Sequence, residues 1–283
     1  MAKFIAKIKI EGTIEKENET YNQKWLLETI EKLTDNKTNA GIILYISSPG
    51  GGVYESDEVY TALKKYKEKT NRPVYAYFAS LAASGGYYIG CSADKIIANR
   101  NTITGSIGVI AGQFIDLTEP MEKYGIKAEI IHAGKNKTMG SVTEKVTDEQ
   151  RAIMQSLADE CYEQFTSIVA ESRKMEISKV KELADGRIYT AKQAKENGLI
   201  DEIATFDEAV EIFKEKELGD KESLVDVKNF EVKQKKSLKK LIMGTSAFFG
   251  GKAAISSPIS DAMSILKPTG VKFPAYLYEG NLR

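Results

Sequence analysis

Apolar and polar positions along the first eighty residues predict strands separated by helices. Residues 4–10 alternate between apolar and polar, whereas residues 41–46 and 74–79 form continuous apolar runs typical of strands that are buried on both faces. Helices are predicted between these strands, at about residues 22–33 and 56–66. This β-α-β-α order indicates an α/β fold with a parallel sheet, in which functional sites lie beyond the carboxyl ends of the strands.

The pattern continues as shorter elements as far as residue 213. Further strands are predicted at residues 95–98, 108–110 and 128–131. Further helices are predicted at residues 120–124, 147–174, 178–184, 190–197 and 206–213. Thr147 and Gln150 have the spacing of a capping box at the start of the long helix, and Gly198 is placed to end the helix at 190–197.

The character of the chain changes from about residue 219. Residues 233–240 are strongly basic, residues 241–255 are apolar but broken by glycines, and residues 268–283 form a tail that contains proline and glycine. We therefore predict a catalytic domain over residues 1–215 and a C-terminal extension over residues 216–283. The basic and apolar succession fits either a membrane-surface element or a charged face followed by an oligomer contact.

Composition narrows the class of protein without identifying it. The 283 residues are 42% hydrophobic and 28% charged, which is typical of a globular chain with a sizeable core. Forty basic residues balance forty acidic ones, so no overall field favours a nucleic-acid partner. Two cysteines are too few for a disulfide framework and lack metal-ligand spacing, and no cofactor is suggested.

The first ten residues bear on where the protein works. Their apolar positions are interrupted by lysines, so they match neither a signal peptide nor a membrane span. Two interpretations stay open at this stage: a cytoplasmic protein, or a membrane-associated one whose N-terminal anchor is missing from this sequence.

Ser84 is the strongest candidate for a nucleophile. It lies among alanines and glycines directly after the predicted strand at 74–79, where small residues permit close backbone approach. A helix beginning there would direct free N–H groups at the site and could hold an oxyanion while the serine attacks a carbonyl. Small residues that merely let a helix pack closely on the sheet would give the same local pattern.

A second glycine motif, Gly50 to Gly52, follows the strand at 41–46. It lacks the lysine of a phosphate-binding loop and the spacing of a dinucleotide-binding loop, so phosphate binding is poorly supported. Its exposed backbone N–H groups could instead serve an oxyanion hole close to Ser84.

The base that would activate Ser84 is constrained by composition. The chain contains one histidine, His132, so a Ser-His-Asp triad must use it. The alternative base is a lysine, which requires a pKa lowered from about 10.4 to near 7, at a cost of about 4 to 5 kcal/mol. Chemistry alone does not decide between His132 and a lysine as the base, and among forty lysine and arginine residues it does not select a particular lysine.

Several motifs resemble a known family when they are taken in order along the chain. They are Ser48-Pro49-Gly50-Gly51, Ala82-Ala83-Ser84-Gly85-Gly86-Tyr87-Tyr88, Thr104-Gly105-Ser106-Ile107-Gly108-Val109 and Gly134-Lys135-Asn136-Lys137. A further block combines Asp185-Gly186-Arg187, Ala194 and Gly198-Leu199-Ile200-Asp201. Together these motifs resemble the signal peptide peptidase A family of bacterial and archaeal serine proteases, over about residues 5–213.

The resemblance implies roles for individual residues. Ser84 would be the nucleophile, Lys137 the general base and Ser106 the residue that orients this lysine. The backbone N–H groups of Gly51 and Gly85 would form the oxyanion hole. Lys135 would be solvated, and His132 would take no part in catalysis.

The resemblance also implies the fold, the substrates and the assembly. The fold would be that of the Clp protease and the crotonases, a twisted sheet flanked by helices, and the subunits would form a homo-oligomeric ring. Substrates would be signal peptides and other extended or unfolded peptides, bound by strand addition. A crotonase-like acyl-CoA enzyme and a non-catalytic membrane scaffold are the alternatives.

The end of the chain suggests self-binding. Residues 274–278 form a proline-led, extended and apolar segment of the kind such a site would accept. The sequence thus predicts that the tail from Pro274 to Arg283 can lie in an active-site groove, of its own or of a neighbouring subunit, as a product-like inhibitor.

Overall fold

The computed structural model describes residues 3–219, 225–232 and 275–277. The basic and apolar segments predicted at 233–255, and most of the tail, lie outside the described residues. Ten strands and eight helices are described within these ranges. The strands are β1 (Phe4–Glu11), β2 (Asn39–Ser48), β3 (Gly50–Gly52), β4 (Val74–Ala83), β5 (Lys95–Ala98), β6 (Ile103–Gly105), β7 (Ile188–Thr190), β8 (Glu202–Ile203), β9 (Asp226–Phe230) and β10 (Ala275–Leu277).

The helices fall between the strands, as an α/β fold requires. They are α1 (Gln23–Asp35), α2 (Val53–Thr70), α3 (Gly85–Gly90), α4 (Thr118–Lys123), α5 (Asp148–Arg173), α6 (Ile177–Leu183), α7 (Ala191–Glu196) and α8 (Phe206–Phe213). A π-helical turn, Lys214–Leu218, continues α8. The predicted helices at 120–124, 178–184, 190–197 and 206–213 are therefore all confirmed, and the helix predicted at 56–66 is longer in the structure.

Eight strands form the main sheet, in the order β7-β6-β4-β2-β1-β9, with β5 beside β4 and β8 beside β5. All of its pairings are parallel except that of β6 with β7. Strand β4 pairs with both β5 and β6: its first half pairs with β5, and its last three residues pair with β6. The sheet carries a large apolar cluster on one face and a smaller one, around Phe213 of α8, on the other. The predicted α/β fold with helices flanking a sheet is confirmed.

Local capping signals set several helix ends. The Asn22 side chain accepts a hydrogen bond from the Trp25 N–H at the start of α1. Thr147 and Gln150 form the predicted capping box on α5, and Gly198 has φ 73°, as expected of a glycine that ends a helix.

Two predicted strands are wrong. Residues 108–110 and 128–131 are described but form no strand of the sheet, whereas the nearby residues Ile103–Gly105 form β6. The second run is apolar but largely exposed, with Ile130 at 41% and Ile131 at 95%. A short apolar run becomes a strand only where a neighbouring strand pairs with it, and its own sequence does not specify that neighbour.

Strand β9 lies beyond the predicted domain boundary at residue 215 and forms the edge of the main sheet. It pairs with β1 from Phe4 to Ile8, in parallel. Among the described helices, none has both the length and the apolar character needed to cross a bilayer.

Candidate active site

Ser84 lies at the junction of β4 and α3, in a strained conformation. Its φ of 52° and ψ of −117° are unusual for a residue with a side chain. The residue is 1% exposed, and within the described part of the chain its Oγ has no hydrogen-bond partner. The backbone fixes the turn, since the Ser84 N–H donates to the Gly105 carbonyl at 2.8 Å. A buried, unpaired hydroxyl held at a strained turn is typical of a reacting group rather than of a structural one.

Ser106 is brought next to Ser84 by the sheet. Ala83 and Gly105 pair across β4 and β6, so the next residue on each parallel strand leaves the sheet at the same edge. Adjacent strands are about 4.8 Å apart. Ser106 is also buried, has φ 49°, and its N–H donates to the Arg187 carbonyl at 2.8 Å. The structure therefore brings the two predicted serines together.

The glycine strand β3 runs beside this pair and has one edge occupied by Ile14. The Ile14 N–H donates to the Gly50 carbonyl and the Gly52 N–H donates to the Ile14 carbonyl, each at 2.8 Å. Peptide groups alternate in direction along a strand, so the N–H and carbonyl of Gly51 face the opposite edge. A Cβ on Gly51 would lie 1.9 Å from the Ile14 oxygen, which explains why glycine is required there.

Strand β10 lies on that opposite edge of β3. It pairs in the antiparallel sense, with Ala275 opposite Gly52, Tyr276 opposite Gly51 and Leu277 opposite Gly50. Part of the predicted self-binding tail is therefore paired with the glycine strand next to Ser84.

Helix α3 begins at Gly85 and presents its first N–H groups towards the site. No side chain caps this helix terminus. Gly86 packs closely on β2, since a Cβ there would lie 3.1 Å from the Ser48 carbonyl. The close-packing interpretation of the Ala-Ser-Gly-Gly pattern is therefore confirmed, and the role of the α3 N–H groups in an oxyanion hole stays a prediction.

Lys137 lies on an exposed segment and makes no hydrogen bond to Ser84 within the described part of this chain. Its N–H closes a turn onto the Gly134 carbonyl at 3.0 Å, and its side chain is exposed. Lys135 is also exposed and forms an ion pair with Glu149. His132 is exposed, with Nδ1 at 3.1 Å from the Gly134 carbonyl. The described chain thus brings together the serines and the glycines but not the predicted base.

Across residues 3–219, 225–232 and 275–277, no group of three or more histidine, cysteine or acidic side chains has an arrangement that could hold a metal ion. Asp201 is partly buried near the sheet, and its carboxylate accepts two hydrogen bonds from Arg173, of 3.0 and 2.6 Å.

Comparison with known proteins identifies the family. The model of peptidase family S49 matches residues 66–219, more than half of the chain. This chain belongs to peptidase family S49. The matched residues contain Ser84, Ser106 and Lys137.

Several relatives of this S49 peptidase are named as proteases. A protein of Enterococcus faecium named signal peptide peptidase SppA is 38% identical over 80% of this chain and 67% of its own length. A Synechocystis protease is 40% identical over 73% of this chain and 72% of its own length. The chloroplastic serine protease SPPA of Arabidopsis thaliana is 35% identical, over 68% of this chain and 28% of its own.

These relatives and the family match make the S49 chain a serine peptidase, as the sequence motifs predict, rather than an acyl-CoA enzyme or an idle scaffold. Among solved structures, a point mutant of ClpP1 from Listeria monocytogenes is similar over 70% of this chain and 90% of its own, with 17% identity and a TM-score of 0.47.

Two parts of the site were not foreseen from the sequence. Ile14 supplies the inner partner of β3, and Glu55, in the first turn of α2, lies against Gly52. Neither residue belongs to a recognisable motif. Glu55 lies three residues after Gly52. This spacing places it in the first turn of α2, but the sequence predicts that only if the start of the helix is already known.

Proposed function

We propose that this S49 peptidase hydrolyses extended peptides, signal peptides among them, with Ser84 as nucleophile and Lys137 as general base. The observation that carries this proposal is the pairing of a peptide segment, β10, with the glycine strand beside the strained Ser84. Strand addition of this kind binds through main-chain hydrogen bonds, so it accepts many sequences.

The reaction follows the chemistry of a serine acyl transfer. The uncharged Lys137 amine takes the proton of the Ser84 hydroxyl as Oγ attacks the scissile carbonyl carbon, and a tetrahedral oxyanion forms. The lysine returns this proton to the leaving amine as the peptide bond breaks, which leaves an ester on Oγ. Water then attacks the ester with the same lysine as base, and Ser84 is regenerated with release of the carboxylate product.

Backbone N–H groups would stabilise the oxyanion. The Gly85 N–H is at the uncapped start of α3, and the Gly51 N–H faces the edge of β3 where a peptide pairs. Each donor of this kind contributes about 10²- to 10³-fold to turnover in other acyl-transfer enzymes. The buried Ser106, beside Ser84, is the residue we assign to orienting the lysine.

Lys137 must come within hydrogen-bond reach of Ser84 for this chemistry. The exposed segment around it carries apolar side chains that a monomer leaves in water: Tyr124, Ile126, Ile130, Ile131 and Val142. Large exposed apolar patches often mark interfaces. We propose that assembly of several copies into a ring covers this segment and brings Lys137 against Ser84.

The tail is proposed to act as a resident, product-like ligand of the groove. Strand β10 occupies the edge that a substrate would need, so it competes with added peptide. Deletion of residues 274–283 should therefore raise the rate of peptide cleavage. An unchanged rate would refute inhibition by the tail while leaving the catalytic assignment intact.

The signal-peptide substrate rests on the name of the Enterococcus faecium relative and on the apolar, extended character of the tail segment. Association of the protein with a membrane surface stays a prediction.

The test is cleavage of an alanine- and leucine-rich peptide by four variants whose folding is checked by circular dichroism. Ser84→Ala and Lys137→Ala should lose activity by at least about 10³-fold. Lys135→Ala is the matched control for loss of a nearby lysine, and His132→Ala tests the alternative base. Both controls should retain activity. Wild-type activity in Lys137→Ala together with loss in His132→Ala would overturn the dyad and favour a histidine base.

A further inference from the structure

We propose that Glu55, with the acidic cleft behind it, forms a subsite for a lysine or arginine side chain of the substrate. The position selected is the substrate residue that lies opposite Gly52. This inference rests on the proposed binding of peptides along β3, and it adds a preference that main-chain pairing alone cannot provide.

The register of β10 fixes which substrate residue is concerned. Ala275 of the tail lies opposite Gly52. In an antiparallel pair, residues directly opposite each other project their side chains on the same face, with Cβ atoms about 5 Å apart. A substrate bound in this register therefore has one side chain on the face of Gly52.

Glu55 occupies that face. A Cβ built on Gly52 would lie 2.0 Å from the Glu55 Oε2 atom. The carboxylate thus fills the place where a side chain of Gly52 would have been, and the side chain of the opposing substrate residue points towards it. The two Cβ positions are about 5 Å apart, a separation that the long side chain of a lysine or arginine can span to place its cation at this carboxylate.

A cleft of about 650 Å³ continues from Glu55 between α1 and α2. Its walls include five glutamates, Glu17, Glu28, Glu31, Glu55 and Glu58, and two lysines, Lys16 and Lys24. This excess of negative charge outweighs the roughly half positive charge at the start of α2. The cleft therefore favours a cation over an anion.

The carboxylates of the cleft differ in the hydrogen bonds and ion pairs that they already form within the protein. Glu58 accepts hydrogen bonds from Gln23 at 2.8 Å and from the Tyr54 hydroxyl at 3.1 Å. Glu28 forms ion pairs with Lys32 at 3.7 Å and with Lys24 at 3.9 Å. Glu17, Glu31 and Glu55 form no ion pair within the described ranges, and of these three it is Glu55 whose carboxylate lies at Gly52, facing the substrate position. The exposed Tyr54 ring, beside it in sequence, offers a further surface for a cation.

The experiment measures binding, so that it does not depend on turnover. Fluorescein-labelled peptides with the sequence of residues 272–280 carry lysine, glutamine or glutamate in place of Ala275, and their Kd values for the full-length Ser84→Ala protein are measured by fluorescence anisotropy. The tail of the protein competes equally with all three peptides, so the ratio of Kd values is unaffected by it.

We expect the lysine peptide to bind about fivefold more tightly than the glutamate peptide, as for a partly exposed ion pair. The ratio should fall towards one when Glu55→Gln is added and when salt is raised. Glu68→Gln is the matched control, because Glu68 lies exposed near the other end of the same helix. It should leave the ratio unchanged.

The possible outcomes test the Glu55 subsite separately from strand addition along β3. Equal binding of the three peptides, or a ratio that survives Glu55→Gln, would overturn the subsite and leave strand addition standing. Failure of all three peptides to bind would overturn strand addition along β3 and the subsite with it. Loss of the ratio in both Glu55→Gln and Glu68→Gln would show a long-range charge effect and overturn the assignment to Glu55.

Discussion

Replacement of Ser84 by glycine should make this protein more stable while abolishing its activity. The native φ of 52° and ψ of −117° cost a non-glycine residue about 1 to 3 kcal/mol. The buried hydroxyl without a partner in the described chain adds a penalty of about 1 to 3 kcal/mol. Glycine removes both penalties.

Two smaller losses oppose this gain. Glycine increases the entropy of the unfolded chain, at about 0.5 to 1 kcal/mol, and the buried Cβ is worth about 0.8 kcal/mol. The free energy of unfolding of Ser84→Gly should therefore rise by about 2 kcal/mol. Ser84→Ala keeps the strain, but it removes the hydroxyl penalty and avoids both opposing losses, so it should gain about 1 to 3 kcal/mol, similar to Ser84→Gly.

Urea denaturation followed by fluorescence of the single tryptophan, Trp25 in α1, measures these differences. Asn71→Gly is the matched control, because Asn71 also has a positive φ, of 50°, but with a ψ of 31° that asparagine tolerates. Its stability should stay within about 1 kcal/mol of the wild type. A Ser84→Gly protein that unfolds at the same urea concentration as the wild type, or at a lower one, would refute the strain argument.

Three further predictions concern other parts of the structure. Burial disfavours the ionised Asp201 carboxyl, but Arg173 and the Ile96 N–H stabilise it and keep its pKa below the usual value. The ionised carboxyl therefore stabilises the fold above about pH 4, and this stabilisation is lost as the pH falls through the pKa that Asp201 has in the folded protein. Asp201→Asn should remove that dependence in acid titrations and lower the free energy of unfolding by about 3 kcal/mol. Burial raises the pKa of Cys91 to about 12, so iodoacetamide at pH 8 should label this thiol only after unfolding, as intact mass would show. Gly51→Ala should lower kcat/KM about 100-fold by displacing β3, and a wild-type rate would contradict the close approach at that residue.

Sequence reasoning succeeded where the signal was local. The capping box at Thr147, the stop at Gly198 and the helix at 206–213 each depend on a few neighbouring residues, and the structure has all of them. The family motifs likewise identified a peptidase, because nucleophile and glycine patterns are short and ordered. Their arrangement in the chain also predicted that Ser84 and the glycine strand share an edge of the sheet.

The failures concern pairing between distant segments. The run at 128–131 has the composition of a strand but no partner in the described sheet, and β9 joins β1 from beyond the expected boundary. The role proposed for Glu55 depends on the register of Gly52 against β10. Such partners are determined by the whole fold, so no window of residues around them contains the information.

The length of β3 has a consequence for the kinetics of the enzyme. An open strand edge is a template on which unfolded chains can associate without limit. Here the edge is three glycines long, and it offers an incoming chain no apolar side chains against which a second sheet could grow. If peptides bind along β3 as proposed, each one is held by few main-chain hydrogen bonds. We therefore expect products to dissociate quickly and β3 not to act as a nucleus for aggregation of the substrates.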